Sequence, residues 1–278
     1  MTKANRLPVS FHMSFQPERH YLCALLSFAQ KRTTASVEEI SESTGIPTGK
    51  STGKVRPLLQ YAQGMGLLNV EATAKTGQMT LSLLPLATIV LREDPPLLEE
   101  NTQWALHLML CRKNGGAEVW HSVFVNGAEA LGNRFSERKF NEFLANRFGS
   151  SSDSIGPLIR TYSDPAGLGR AAAISQKNSF IELRKVPTQP AMYDTVGALF
   201  FLIWDTELPE NTQIALKELE VASGLMAATG WSPQEQSQFL TEMERLGWVK
   251  VDRQTGDPIL TRLIPTNKIL KVMYDRLP

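Results

Sequence analysis

The chain contains one local phrase twice, QYAQGMGLLNV at residues 60–70 and FLTEMERLGWVKV at residues 239–251. In each copy the pattern of an amphipathic helix ends at a glycine and is followed by a short apolar strand. A polar turn comes next, at 75–78 and at 252–257, and a second apolar stretch begins after it. Helix, glycine and hairpin form the end of a winged helix. The pattern therefore predicts winged helices at both ends of the chain and makes DNA the first partner to test.

The composition limits how such a chain could bind DNA. Its 278 residues, 42% apolar and 21% charged, are enough for two or three domains with ordinary cores. The net charge is only +1, so any DNA contact must come from local patches of Lys and Arg. No apolar run approaches the ~20 residues that span a bilayer, and the first residues do not form a signal peptide. We expect a cytoplasmic protein with no membrane partner.

The first third of the sequence has the pattern of a winged helix-turn-helix. Apolar residues recur at helical spacing after Pro17, and a capping box at Ser36 and Glu39 opens a second helix that Gly45 closes. A third helix, at about 51–62, turns its apolar residues inward, and a solvated face is the alternative interpretation of its outward side. This outward side and the following hairpin carry the predicted DNA contacts, which are Lys50, Lys54, Arg56, Gln60, Lys75 and Gln78.

The remaining two thirds of the sequence predict a helical region followed by a second winged-helix-like module. One strand is predicted at 179–183, and helices are predicted at 193–204 and 212–219. A capping box at Ser232 opens the helix that ends at Gly247, whose exposed glutamines and glutamates predict an acidic face turned away from DNA. The predicted fold is mainly α with small β-hairpins (α+β), with an N-terminal winged helix-turn-helix domain (1–93), a helical middle domain (94–186) and a C-terminal winged-helix-like domain (187–278).

Two motifs for chemistry are incomplete. GKST at 49–52 matches the end of a phosphate-binding P-loop, but the required upstream glycine falls at Thr44, and a capped helix precedes it where a P-loop needs a strand. We therefore expect no nucleotide cofactor and interpret these residues as a phosphate contact at a helix N-terminus. Asp164 and Glu182 would resemble a restriction-type carboxylate site if a lysine stood at Arg184. Arginine does not readily donate its proton, so a surface strand with salt bridges is favoured there.

Several further phrases carry a family resemblance. They are FHMSFQP at 11–17, LLEENTQWALH at 97–107 and LIRTY at 158–162, in addition to the N-terminal segment. Together they resemble a family of bacterial proteins whose genes occur together with sulfur-transfer genes. The products of those sulfur-transfer genes resemble phosphoadenosine phosphosulfate reductase. That family includes the DNA-nicking subunits of ssp-type single-stranded DNA phosphorothioation systems.

The resemblance implies a subunit that binds and nicks DNA for phosphorothioate modification in anti-phage defence, as a nickase dependent on magnesium or manganese. It implies DNA, a cysteine desulfurase, an ATPase and an ATP-pyrophosphatase sulfurtransferase as partners. The matching phrases and their chemistry suggest His12, Arg160 and Asp164 as catalytic residues, while metal ligands stay unassigned. Two other functions stay open: a non-catalytic winged-helix DNA-binding adaptor or transcriptional regulator, and a protein-interaction scaffold.

Overall fold

The computed structural model describes residues 5–49, 53–73, 77–149, 156–254 and 256–277. Over these residues the fold is mixed α+β, with many helices and three small antiparallel sheets. We divide it into a first unit (19–93), a middle unit (100–183) and a last unit (190–272). Among the described residues, none of the helices combines the length and the apolar character needed to cross a bilayer.

The first unit begins with a helix and ends with a hairpin and one further helix. Its strands pair antiparallel in the order β1-β3-β2, so the third strand lies in the centre. The elements are α1 (Arg19–Lys31), β1 (Thr34–Ser36), α2 (Val37–Thr44), α3 (Val55–Gly64), β2 (Leu68–Ala72), β3 (Gln78–Leu83) and α4 (Pro85–Glu93).

The middle unit repeats that strand order, as β4-β6-β5, which corrects the prediction of a helical middle domain. The strand predicted at 179–183 is present as β6, but its two partner strands were not predicted because RFS and ISQK contain one apolar residue each and show no alternation. The elements are α5 (Glu100–Cys111), α6 (Glu118–His121), a π-helical turn (Ser122–Asn126), α7 (Gly127–Leu131), β4 (Arg134–Ser136), α8 (Glu137–Phe148), α9 (Gly156–Ser163), β5 (Ile174–Lys177) and β6 (Phe180–Leu183).

The last unit has the same sheet order again, β7-β9-β8. The helix predicted at 212–219 begins later than expected, because its first residues form a short strand that pairs with Ile259–Arg262. The elements are α10 (Pro190–Glu207), β7 (Gln213–Ala215), α11 (Leu216–Ser223), α12 (Leu225–Thr229), α13 (Pro233–Arg245), β8 (Val249–Asp252), β9 (Ile259–Arg262) and α14 (Thr266–Val272).

Both predicted capping boxes are confirmed. The Ser36 hydroxyl accepts from the Glu39 amide at 3.2 Å, and the Glu39 carboxylate accepts from the Ser36 amide at 2.7 Å. Ser232 and Glu235 form the same pair of hydrogen bonds, at 3.3 and 2.9 Å. Each box satisfies two backbone amides that would otherwise lack a partner, which fixes where α2 and α13 begin.

Two central helices hold the units together. Every residue of α5 from Asn101 to Cys111 is buried, and α10 is buried along most of its length. Helices with apolar residues on all sides belong inside a protein, and α5 packs against both α10 and α3. The side chain of Leu110 lies so close to Gly64 that a Cβ added there would come within 2.9 Å of it. The third helix of the first unit is therefore covered by the middle unit.

Candidate functional site

The segment between the N-terminus and α1 forms a tight turn around His12. Met13 and Ser14 adopt the left-handed conformation, with φ of 47° and 70°. The Ser14 amide donates to Nδ1 of His12 at 3.1 Å, and the Phe15 amide donates to the His12 carbonyl at 2.8 Å. Left-handed backbone is unfavourable for residues with a side chain, so these hydrogen bonds and the buried ring are needed to hold the turn.

A buried tyrosine of α3 contacts this turn and holds it in place. The Tyr61 hydroxyl of α3 donates to the Phe15 carbonyl at 3.0 Å, and the rings of Phe11 and Tyr61 meet edge to face. Burial raises the pKa of Tyr61 well above its ordinary value, so the phenol keeps its proton and remains a donor. The turn is thus fixed to the core of the first unit.

The C-terminal part of α9 brings Arg160 and Asp164 to the same turn. Nη2 of Arg160 donates to the Ser14 carbonyl at 2.7 Å, and its Nε donates to Oε1 of Gln16 at 3.1 Å. The Gln16 amide nitrogen donates to Asp164 in turn. We call this set, His12, Ser14, Gln16, Arg160 and Asp164, the Gln16 cluster. It places the three predicted catalytic residues in one connected hydrogen-bond network.

The members of the Gln16 cluster differ in how far a substrate could reach them. Arg160 is exposed, Asp164 is half-buried, and His12 is only 2% exposed. His12 uses Nδ1 as the acceptor for the Ser14 amide. In this arrangement Arg160 can touch a bound ligand directly, whereas His12 acts on the site through the backbone of Ser14.

Asp164 provides the negative charge of the cluster. One carboxylate oxygen accepts from the Ala166 amide at 2.8 Å, and the other accepts from Gln16. In the described part of the chain, His, Cys, Asp and Glu side chains do not gather in groups of three that could hold a metal ion. A single carboxylate with both oxygens engaged does not fit a metal cage built from protein ligands.

Lys54, one of the predicted DNA contacts, lies in an internal interaction. Its Nζ is 2.5 Å from a carboxylate oxygen of Glu18, and its side chain is 24% exposed. The same nitrogen lies 5.5 Å from the ring centre of Phe15 and 5.4 Å from that of Tyr21. Because its charge is paired and lies over two rings, Lys54 fixes the start of α3 against the entry to α1.

Arg56 has a different environment. It is exposed at the beginning of α3, where it makes no ion pair with the residues that the structure describes. Arg56 and Met13 line the same surface depression. Met13 is 47% exposed and lies between His12 and Ser14, so Arg56 flanks the Gln16 cluster.

The other predicted DNA contacts divide into two groups. Gln60 is half-buried, and the amide of Gln78 donates to Glu39 at 3.1 Å. Lys50 and Lys75 lie outside the described residues, as do Ser51 and Thr52 of the incomplete P-loop.

The acidic face expected on α13 is neutralised. Its glutamates pair with cations: Glu235 with Lys185, Glu242 with Arg245 at 2.7 Å, and Glu244 with Arg253 at 3.0 Å. The exposed side chains of the helix are neutral or basic, and they are Pro233, Gln234, Ser237, Gln238, Thr241 and Arg245.

Sequence reasoning found three members of the cluster and missed two. Gln16 was quoted within FHMSFQP, but an isolated glutamine has no pattern that assigns it a role. Its contact with Asp164 spans 148 residues of sequence. Ser14 contributes through its backbone carbonyl and amide, which no side-chain motif can indicate.

Comparison with known proteins identifies the fold. No family model and no curated protein matches the chain. Among solved structures, a magnesium ion-bound SspB crystal structure matches with a TM-score of 0.72 at 16% identity, covering 98% of this chain and 88% of the other. A second SspB crystal structure matches with a TM-score of 0.66 at 15% identity over the same shares. The chain therefore has the fold of SspB, the fold that its sequence resemblance implied.

Proposed function

We propose that this chain is a DNA-binding subunit of a bacterial DNA phosphorothioation system and that it nicks one strand of its DNA. The observation that carries the proposal is the convergence of His12, Arg160 and Asp164 in one surface cluster. The match to SspB over 98% of the chain supports the same assignment. A nick would expose a strand end at which a partner enzyme installs sulfur.

The three units support a DNA-binding role as winged helices. Each contains, in this order, a helix, a short strand, one or more further helices and a hairpin whose second strand is central in the sheet. In winged helices this arrangement commonly presents one helix and the hairpin to the duplex. Arg56, which lines a depression with Met13, and Arg160, which donates to the Ser14 carbonyl, then provide cations next to the turn at 10–14.

The cluster suggests a division of roles in the cleavage. Strand nicking breaks one phosphorus–oxygen bond, water supplies the new oxygen, and the leaving oxygen takes up a proton. Arg160 binds the phosphate and offsets charge that develops on its oxygens. Asp164 and Gln16 orient this guanidinium network, and His12 is a positioning residue that fixes the turn at Ser14.

A non-catalytic adaptor is the second candidate. The cluster members hydrogen-bond mainly to one another, and the described residues near Asp164 do not form a metal cage. An adaptor would use the same surface to bind DNA and to place it before other subunits. In either role we expect a cytoplasmic protein that works with a cysteine desulfurase, an ATPase and an ATP-pyrophosphatase sulfurtransferase.

Relaxation of supercoiled plasmid separates the two candidates. The full chain should convert supercoiled plasmid to open circles, and the rate is compared in magnesium, in manganese and in a chelator. Arg160→Ala should lower the rate about a hundredfold or more, the usual scale for losing one group that stabilises the developing charge, and Asp164→Asn should lower it less because Asp164 only orients the arginine. Lys268→Ala, an exposed cation on α14, serves as the matched control and should nick normally.

Duplex binding measured on the same samples completes the test. Binding without nicking by the wild-type chain, in every metal, would favour the adaptor. If neither binding nor nicking occurs, both DNA functions fail and a protein-interaction scaffold remains.

A further inference from the structure

The hairpin of the middle unit has a rigid two-residue turn. Asn178 and Ser179 both have positive φ, 49° and 62°, and Lys177 pairs directly with Phe180 across the turn. Positive φ at both central positions matches the twist of the two strands and holds them in one register. The direction in which Phe180 projects is therefore fixed by the backbone.

The register places a specific set of side chains on the outward face of this sheet. Residues paired across strands share a face, so Phe180 lies beside Lys177, while Glu182 lies between Arg134 and Ser175. Ile181 points the other way and is buried. The outward residues line a depression of about 390 Å³.

Phe180 is 45% exposed although an arginine lies over its ring. The guanidinium carbon of Arg134 is 5.1 Å from the ring centre, within the range of a cation–π contact. Leaving this much of a phenylalanine in water forgoes the stabilisation that burial would give. The other large apolar side chains with comparable exposure among the described residues, such as Val221, are not aromatic.

The charges around Phe180 favour an anion with a planar group. Arg134 and Lys177 line the depression together with one carboxylate, that of Glu182, so its lining carries a net positive charge. A nucleotide combines a flat base, which stacks on aromatic rings and guanidinium planes, with a phosphate that Lys or Arg neutralises. The Glu182 carboxylate would repel a phosphate, but it can accept a hydrogen bond from the exocyclic amino group of a base.

We propose that this face binds one unpaired nucleotide of the DNA. The base stacks on Phe180 and Arg134, Lys177 neutralises its phosphate, and Glu182 accepts from the amino group of adenine, cytosine or guanine. The inference rests on the proposed DNA function and deepens it: the strand end released by a nick, or a base unpaired beside it, is held by the middle hairpin.

Affinity for single strands tests this site. Fluorescence anisotropy is measured with short oligo(dA), oligo(dT) and a duplex of the same length. Phe180→Ala should weaken binding of oligo(dA) about tenfold, the scale of one lost stacking contact, and change duplex affinity little. Phe180→Tyr should retain the affinity, and Val221→Ala is the matched exposed control. Glu182→Gln should reduce the preference of the wild-type chain for oligo(dA) over oligo(dT).

Each outcome supports or overturns the inference. If Phe180→Ala binds oligo(dA) as well as Val221→Ala does, or if the wild-type chain binds only duplex, the nucleotide site is wrong while the DNA function stands. If the wild-type chain binds neither duplex nor single strands and does not nick, the proposed function fails and the site fails with it.

Discussion

Helices α3 and α13 occupy the same position in two units that end in the same phrase, but they meet their surroundings in opposite ways. Along α3 most residues are buried, and Arg56 is its exposed cation. Along α13 a broad polar face is exposed, and its glutamates are all paired with cations. The sequence favours α3 as the DNA-contacting face and predicts an acidic α13, whereas the structure covers most of the first and neutralises the second.

The comparison shows that equivalent elements of a repeated topology need not present equivalent surfaces. Helix α5 packs against α3, and the exposed residue of α3, Arg56, lies at its beginning next to the Gln16 cluster. Ion pairs fix α13 against other parts of the chain, and the same ion pairs neutralise the negative charge of its glutamates. The contact surface of each unit is decided by what packs against it.

The largest expected effect concerns the ion pairs that anchor α13. Arg276 donates to Asp194 of α10, which is 2% exposed, and to Glu242 of α13 at 2.6 Å. Burial raises the pKa of Asp194, and Arg276 opposes this effect. Arg276→Ala leaves a buried carboxylate without its partner and should lower the free energy of unfolding by about 3 kcal/mol.

Urea unfolding measures this change, and Arg276→Ala combined with Asp194→Asn is the control. The double variant should recover part of the loss because the amide needs no cation. A cost below about 0.5 kcal/mol for the single variant, which is typical of a surface substitution, would show that α13 is anchored in another way.

The second prediction uses the two glycines of the repeated phrase. Gly66 and Gly247 have φ of 68° and 71°, so alanine is strained at both positions. A Cβ at Gly66 would come within 2.4 Å of the end of Met109 in α5, whereas one at Gly247 would meet no atom within 4 Å. Gly247→Ala should cost about 1 kcal/mol, and Gly66→Ala about 2 kcal/mol because Met109 must also move. If thermal unfolding shows the same loss of stability for the two variants, α5 does not pack closely against Gly66.

The third prediction concerns His107, which lies inside the covering helix α5. Nδ1 of its ring is 2.6 Å from the Tyr162 hydroxyl, and burial lowers the pKa of His107 to about 3. The unfolded chain therefore binds a proton more readily than the folded chain between about pH 3 and pH 6.5. Stability is fully present above about pH 6.5 and falls below it, by up to about 1.4 kcal/mol per pH unit.

Unfolding measured from pH 7 to pH 5 shows this slope. His107→Gln should reduce the slope without abolishing it, because burial also lowers the pKa of His121. Tyr162→Phe keeps the imidazole and should keep the slope. A slope that is unchanged in His107→Gln would mean that this ring is not buried as described.

The smallest expected effect concerns DNA binding by the two helices. Arg56→Ala should weaken duplex binding about twofold to threefold and lower the salt dependence by about one ion, as expected for one phosphate contact. Arg245→Ala on α13 should leave both unchanged. Both quantities are measured by anisotropy over a series of salt concentrations. If Arg245→Ala weakens binding and Arg56→Ala does not, the DNA contacts the last unit and not the first.

The parts of the fold that depend on local chemistry could be predicted from the sequence. The capping boxes fixed the starts of α2 and α13 because their hydrogen bonds join residues three positions apart. The hairpin of the middle unit was missed because its first strand, β5 (Ile174–Lys177), has a single apolar residue and therefore shows no alternation. The extent of burial of α3 depends on α5, a contact between distant parts of the chain.

The candidate site was predictable in its residue types but not in its connections. His12, Arg160 and Asp164 came from separate phrases, and only the structure shows that Gln16 joins them. Lys54 looked like an outward cation, but Glu18, 36 residues earlier, neutralises it. Long-range ion pairs of this kind leave no periodic signal in a sequence.

Hydrogen–deuterium exchange with and without duplex DNA tests the central claim most directly, namely that DNA lies over the Gln16 cluster and the beginning of α3. Exchange is compared under conditions in which the chain binds DNA without turning it over. We predict slower exchange on DNA binding at residues 11–16, 55–58 and 156–164, with little change along α13. Slower exchange confined to α13, with the cluster unaffected, would contradict this account.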